Sequence, residues 1–212
     1  TSVTGVQTCA LPILVKIISR SSVLLDIPQY LCEKDITGTL RHVVERMKKW
    51  KAEYSTDILR YVSTTAFFVS LSIEASTKMV DAGGLALLRE LLNTVHDDDE
   101  VVCVCIATLG NMARSRLVRS RLVQDGAVRL LAVEAERCAV HLKQFESNIS
   151  EQPLHNYEQL LAICVASLAT LSQDDDSAIK VAVQGGMRIM IVVASYANDI
   201  RLKSQAIVAL CN

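Results

Sequence analysis

One short segment recurs three times along this chain, and a recurring segment limits the fold more tightly than composition does. Lys78-Met-Val-Asp-Ala-Gly-Gly-Leu85, Arg121-Leu-Val-Gln-Asp-Gly-Ala-Val128 and Lys180-Val-Ala-Val-Gln-Gly-Gly-Met187 align without gaps. Each has a base, an apolar pair, a polar or small break, a glycine and a fresh apolar run. A second set keeps step with the first: Ile106-Ala-Thr-Leu-Gly-Asn-Met-Ala113, Val165-Ala-Ser-Leu-Ala-Thr-Leu-Ser172 and Ile207-Val-Ala-Leu-Cys-Asn212. Gly83 to Gly126 is 43 residues and Leu168 to Leu210 is 42, whereas Gly126 to Gly185 and Leu109 to Leu168 are both 59. One period therefore carries an insertion, and the glycine-to-leucine spacing within each copy puts it at Glu136 to Asn156.

Within a copy the pattern reads as a short helix ending at the glycine, a second helix such as Gly84 to Val95, a charged loop, and a longer third helix such as Val101 to Ser115. Glycine takes a positive φ at no steric cost, so it permits a sharp bend between the first two helices. Leu85, Leu88, Leu91 and Leu92 share one face of the second helix. The third helix is apolar nearly all round and has to be covered on most sides. Such helices cannot bury their faces alone, so neighbouring copies supply the core by stacking. The insertion lies between the second and third helices of its repeat, and the helix preceding it is expected to run past Glu136 to about Gln144. A mobile loop is expected to follow across the polar, proline-containing stretch Phe145 to Pro153.

Composition agrees with an all-α chain. Of 212 residues, 50% are hydrophobic and 21% charged, with 8 Gly and 3 Pro, too apolar for disorder. Three Phe, one Trp and five Tyr against a heavy load of aliphatic residues argue against a sandwich or barrel. A net charge of −1 provides no overall field toward nucleic acid or an acidic membrane. The 7 cysteines include no Cys-x-x-Cys pair and no histidine at ligand spacing, so no metal site is expected. Cys103, Cys105, Cys164 and Cys211 lie in apolar helical runs as small hydrophobes. A reducing, cytoplasmic setting, or a nuclear one, fits this usage. The most apolar stretches, such as Leu160 to Leu171, are shorter than the ~20 residues that cross a bilayer. Residues 3–13 look like the in-frame translation of a sequencing-library adapter. Residues 1–13 are accordingly set aside as an artefact, with the natural chain expected to begin near Leu14.

The residues Met79-Val-Asp-Ala-Gly-Gly-Leu-Ala-Leu-Leu-Arg-Glu-Leu-Leu92, Thr108-Leu-Gly-Asn-Met-Ala113 and Ala209-Leu-Cys-Asn212 resemble the armadillo repeat family. The resemblance covers residues 75 to 212 and implies an armadillo-type, right-handed superhelical solenoid of three-helix repeats. The repeats are expected near 25–72, 73–115, 116–173 and 174–212, after the end of an earlier repeat at 14–24. In the first of them Ile58 to Leu71 would be the third helix, and Gly38 with Leu40 to Met47 the second. The chain is expected to be a fragment of a longer protein, truncated at both ends.

Further implications of the resemblance concern the third helices, which in this family line a concave groove where an Asn often bonds the main chain of an extended peptide. The matching positions here are Phe68, Asn111, Thr170 and Asn212. Importin-like readers of nuclear localisation signals place a Trp one turn earlier, where this chain has Thr64, Ala107, Ala166 and Val208. The stripe that includes Tyr61, Phe68, Thr108, Asn111, Ser167 and Thr170 is uncharged, unlike the basic grooves of catenin-like proteins. Tyr61, Phe68, Thr108, Asn111, Ser167, Thr170 and Asn212 are the candidate partner-binding residues, with Asn111 equally suited to tying third helices together.

Other clusters have plainer readings. His96-Asp-Asp-Asp-Glu100 and Asp174-Asp-Asp176 precede helices, whose positive N-termini suit acids, and neither is arranged around a point as a hard cation needs. Arg114, Arg116, Arg119 and Arg121, and the run Arg46 to Lys51 around Trp50, read as solvated helix faces. No phosphate loop, nucleophile elbow or zinc-protease motif is present, and the four His fall on separate elements. Neither enzymatic activity nor a cofactor is expected. The sequence reads as a scaffold that holds a protein or extended peptide on its third helices. The alternative reading is a solenoid that regulates an enzyme, such as a small GTPase, or acts as a co-chaperone.

Overall fold

A computed structural model of the chain describes residues 35–49, 55–95, 97–145, 151–196 and 199–211. All regular structure among the described residues is α-helical: α1 (Ile36–Lys49), α2 (Ser55–Ser70), α3 (Ile73–Asp81), α4 (Gly84–Thr94), α5 (Asp99–Ala113), α6 (Arg116–Gln124), α7 (Ala127–Phe145), α8 (Glu151–Leu171), α9 (Asp175–Val183), α10 (Gly186–Tyr196) and α11 (Ile200–Cys211). Two compact units are formed, Thr1–Thr108 and Leu109–Asn212, and the division falls inside α5.

In the first unit, Leu40, Val43, Val44 and Met47 are buried at one-face spacing on α1, and α1 packs against α2 and α4. The N-terminus of α1 is capped by Asp35, whose carboxylate accepts from the Gly38 N–H at 3.1 Å. Asp35 itself takes the left-handed φ of 50°, which Asp tolerates better than most residues. Gly38 and Leu40 to Met47, expected to form a second helix, both lie inside α1. Ser72 caps α3 by accepting from the Ala75 N–H at 3.3 Å. At the other end of α3 the Gly83 N–H donates to the Val80 carbonyl at 3.0 Å. Gly83 then adopts a φ of 85° and turns the chain into α4, where Leu85, Leu88, Leu91 and Leu92 are buried.

The second unit repeats that device at Gly126 and Gly185, with φ of 92° and 99°. Around Gly185, α9 and α10 bend by 75°. Second helices pack on second helices, α7 with α10, and third helices on third helices, α8 with α11. Val128, Leu131, Cys164, Val165 and Leu168 form a core with no exposure. Fully burying each such aliphatic side chain contributes about 1.5–3 kcal/mol.

The insertion lengthens two helices. α7 runs through Glu136 to Phe145, and α8 is already helical at Glu151. The loop expected over Phe145 to Pro153 is therefore shorter, because Pro153 sits in the first turn of α8, where its missing N–H would have had no partner. The expected mobility falls on residues 146–150, outside the described residues. His141 of α7 and Tyr157 of α8 stack with ring centroids 4.7 Å apart and planes 9° from parallel.

Candidate partner-binding surface

Third helices carry the candidate residues, and their hydroxyls are already committed. Thr65 donates to the Tyr61 carbonyl at 2.7 Å, Thr108 to Val104 at 2.7 Å, Ser167 to Ile163 at 2.8 Å and Thr170 to Ala166 at 2.8 Å. These bonds return each proton to its own helix. What the hydroxyls can still offer a partner is acceptor capacity.

Burial then divides the candidates. Thr108 and Ser167 are buried, and both leave the set of residues a partner can touch in this structure. Ser167 is instead a packing residue. A Cβ on Gly110 would come within 2.6 Å of the Ser167 hydroxyl, so the glycine of Thr108-Leu-Gly-Asn111 permits close approach of α5 and α8 inside the second unit. In the first unit, Tyr61 and Phe68 are half-buried on α2, and Phe68 meets Phe67 edge-on with ring centroids 5.5 Å apart. In the second unit Asn111 and Thr170 are half-buried and Ala166 is exposed. Val208, at the corresponding position of α11, is 63% exposed. Asn212 lies outside the described residues.

The acidic stretches serve helix termini. Asp98 accepts from the Glu100 and Val101 N–H groups, both at 3.2 Å, at the start of α5, and receives the Arg60 Nε–H at 2.8 Å. The hydrogen bond to Asp98 leads the causes that hold the Arg60 guanidinium above its ordinary pKa, followed by the charge of Asp98 and those of Glu100 and Asp57, against desolvation. Asp174 is the residue before α9, but its side chain makes no cap bond to that helix. Its carboxylate takes Arg119 Nη1 at 2.8 Å and Arg116 Nε at 3.2 Å.

Arg119 departs from its expected solvated face. It is buried, donates its Nε–H to the Ala113 carbonyl at 2.9 Å, and thereby joins the C-terminal end of α5 to the N-terminal end of α9. That role is invisible in the run Arg114 to Arg121, because the partner carboxylate lies 55 residues away. Arg114, Arg116 and Arg121 are exposed as expected. Among the cysteines, Cys105, Cys138 and Cys164 are buried, but Cys211 is exposed, so its place in an apolar run does not make it a core residue. Trp50 and Lys51 lie outside the described residues. No single helix among the described residues is long and apolar enough to cross a membrane.

Residues 75–114, from α3 through the end of α5, match the armadillo/beta-catenin-like repeat. No curated protein matches the chain.

Proposed function

We propose that this chain, whose residues 75–114 match an armadillo repeat, acts as a non-enzymatic scaffold that holds a peptide or protein partner on the accessible positions of its third helices. The repeat itself carries this reading, since its third helix, α5, bears Asn111 at the position where the family contacts peptide main chain. The accessible candidates also suit the role. Tyr61 and Phe68 are of the aromatic type enriched in interface cores, and Asn111, Ala166, Thr170 and Val208 bring no charge that would have to be desolvated. In each unit taken by itself, these positions therefore favour a partner whose contacting residues are apolar or main-chain donors over one led by basic clusters.

The test is affinity capture of partners by the wild-type chain, repeated with Ala166→Arg, Asn111→Ala and Tyr61→Ala. Ala166 is exposed, so an arginine there puts charge on the surface without disturbing the core. A partner captured by wild type and lost with Ala166→Arg, at unchanged thermal midpoint, supports the proposal. Retention of every partner by all three variants overturns it.

A further inference from the structure

The insertion does more than lengthen a hairpin, because its added turns build one wall of an apolar cavity. The cavity, about 300 Å³ in volume, lies inside the second unit between α7, α8 and α10, three helices packed on one another. Its floor is Leu161 of α8 with Ile189 and Val193 of α10, all buried. Ala135, Ala139 and Val140 of α7 form the wall. By the 59-residue offset between copies, α10 ends at the counterpart of position 137, so Ala139 and Val140 belong to the added turns. The short alanine side chains leave the hollow unfilled, and Val140 stands 54% exposed at its edge. The cavity is thus on the side of α10 turned toward α7 and α8, between two repeats that are both present.

Two opposite charges stand at the rim. Glu136 and Arg188 both line the cavity and are exposed, and among the described residues neither makes an ion pair. In repeat register Arg188 corresponds to Arg129, 7 residues before Glu136, which sets the two charges about 10 Å apart along the helix direction. The other lining side chains are all apolar. An extended peptide would bury main-chain groups against them with few partners, whereas a helix satisfies its own. We infer that the cavity is a docking site for a short amphipathic helix of a partner protein. One bulky apolar side chain fills the hollow, an acid one turn to one side faces Arg188, and a base one turn to the other faces Glu136. Steps of four residues either side of the anchor span about 12 Å, which matches the separation of the rim charges. This site is built mainly on second helices, so it is separate from the third-helix surface proposed above and does not depend on it.

Methyl NMR of the 212-residue chain, titrated with alanine-based helical peptides, tests the inference. The probe peptide carries one Trp, with a Glu four residues before it and a Lys four residues after. It should shift the methyl resonances of Leu161, Ile189 and Val193, and its analogue with Ala in place of Trp should bind roughly tenfold more weakly or worse. Val140→Glu changes a position already half exposed and so compatible with folding; it should weaken the probe by about tenfold. Arg188→Glu leaves two acids at the rim. That variant should bind the probe about fivefold more weakly and prefer a peptide with Lys in both flanking positions. Ala166→Arg, which blocks the third-helix surface, should leave the affinity unchanged. The absence of any shift at these methyls up to millimolar peptide overturns the inference. So does binding indifferent to the loss of Trp or to Val140→Glu, or an Arg188→Glu variant that still prefers the mixed-charge probe. Affinity lost with Ala166→Arg would put the peptide on the third helices and overturn it as well.

Discussion

Removing Arg119 tests how the second unit is held together. Its Nε–H bond to the Ala113 carbonyl is buried, and a bond from a charged donor of this kind contributes about 1.5–3 kcal/mol. The contact with Asp174 is different, because that carboxylate is 25% exposed and keeps Arg116 as a second partner. This part is closer to an exposed pair, about 1 kcal/mol or less. Arg119→Ala should therefore destabilise the chain by about 2–4 kcal/mol. Arg119→Lys keeps a charge near Asp174 but lacks the planar fork that serves carbonyl and carboxylate together, and should recover less than half of the loss. Arg116→Ala removes a side chain that is 85% exposed and should cost under about 1 kcal/mol. The assay is urea unfolding followed by far-ultraviolet circular dichroism, comparing midpoints at constant slope. If Arg119→Ala proves no more damaging than Arg116→Ala, the tie between α5 and α9 is not what stabilises this unit.

Three further outcomes are expected. Gly185→Ala should cost about 1–2 kcal/mol from backbone strain alone, since φ is 99° and nothing lies within 4 Å of the added methyl; an unchanged urea midpoint would refute this. Gly110→Ala should destabilise despite alanine's better helix propensity, by about 1–3 kcal/mol of overpacking less ~1 kcal/mol of propensity. Combining it with Ser167→Ala should restore much of that loss, and a double-mutant cycle showing no coupling would contradict the close approach of α5 and α8. Asn111→Ala should weaken a captured partner by about 1 kcal/mol with the thermal midpoint unmoved; a lowered midpoint with affinity intact would assign Asn111 to the fold.

Much of this architecture was legible because it depends on local rules. Glycines at 83, 126 and 185 announced their bends, and leucine spacing announced the face that α4 buries. The insertion is legible from period alone, yet its polar stretch suggests a longer loop than the structure has, since a first-turn proline such as Pro153 is compatible with a helix start. Arg119 and the Gly110–Ser167 contact were illegible for a different reason. Each is defined by a residue more than fifty positions away, and no periodicity connects an arginine to the carboxylate it will meet. The surface candidates fared in between: Tyr61, Phe68, Asn111 and Thr170 keep accessible surface, but Thr108 and Ser167 turn inward by an angle too small for alignment to resolve.

The lengthened hairpin bears on how this chain can change over evolutionary time. α7 has 19 residues where α10, its counterpart in the next repeat, has 11, an overhang of about 12 Å. The added turns follow the part of α7 that carries the repeat pattern and precede the corresponding part of α8, so they leave the phase of Val128, Leu131, Val165 and Leu168 undisturbed. Length at this point is decoupled from the repeat period. Descendants could gain or lose turns here, acquiring new surface chemistry, while the stacked core below remained under its original constraints.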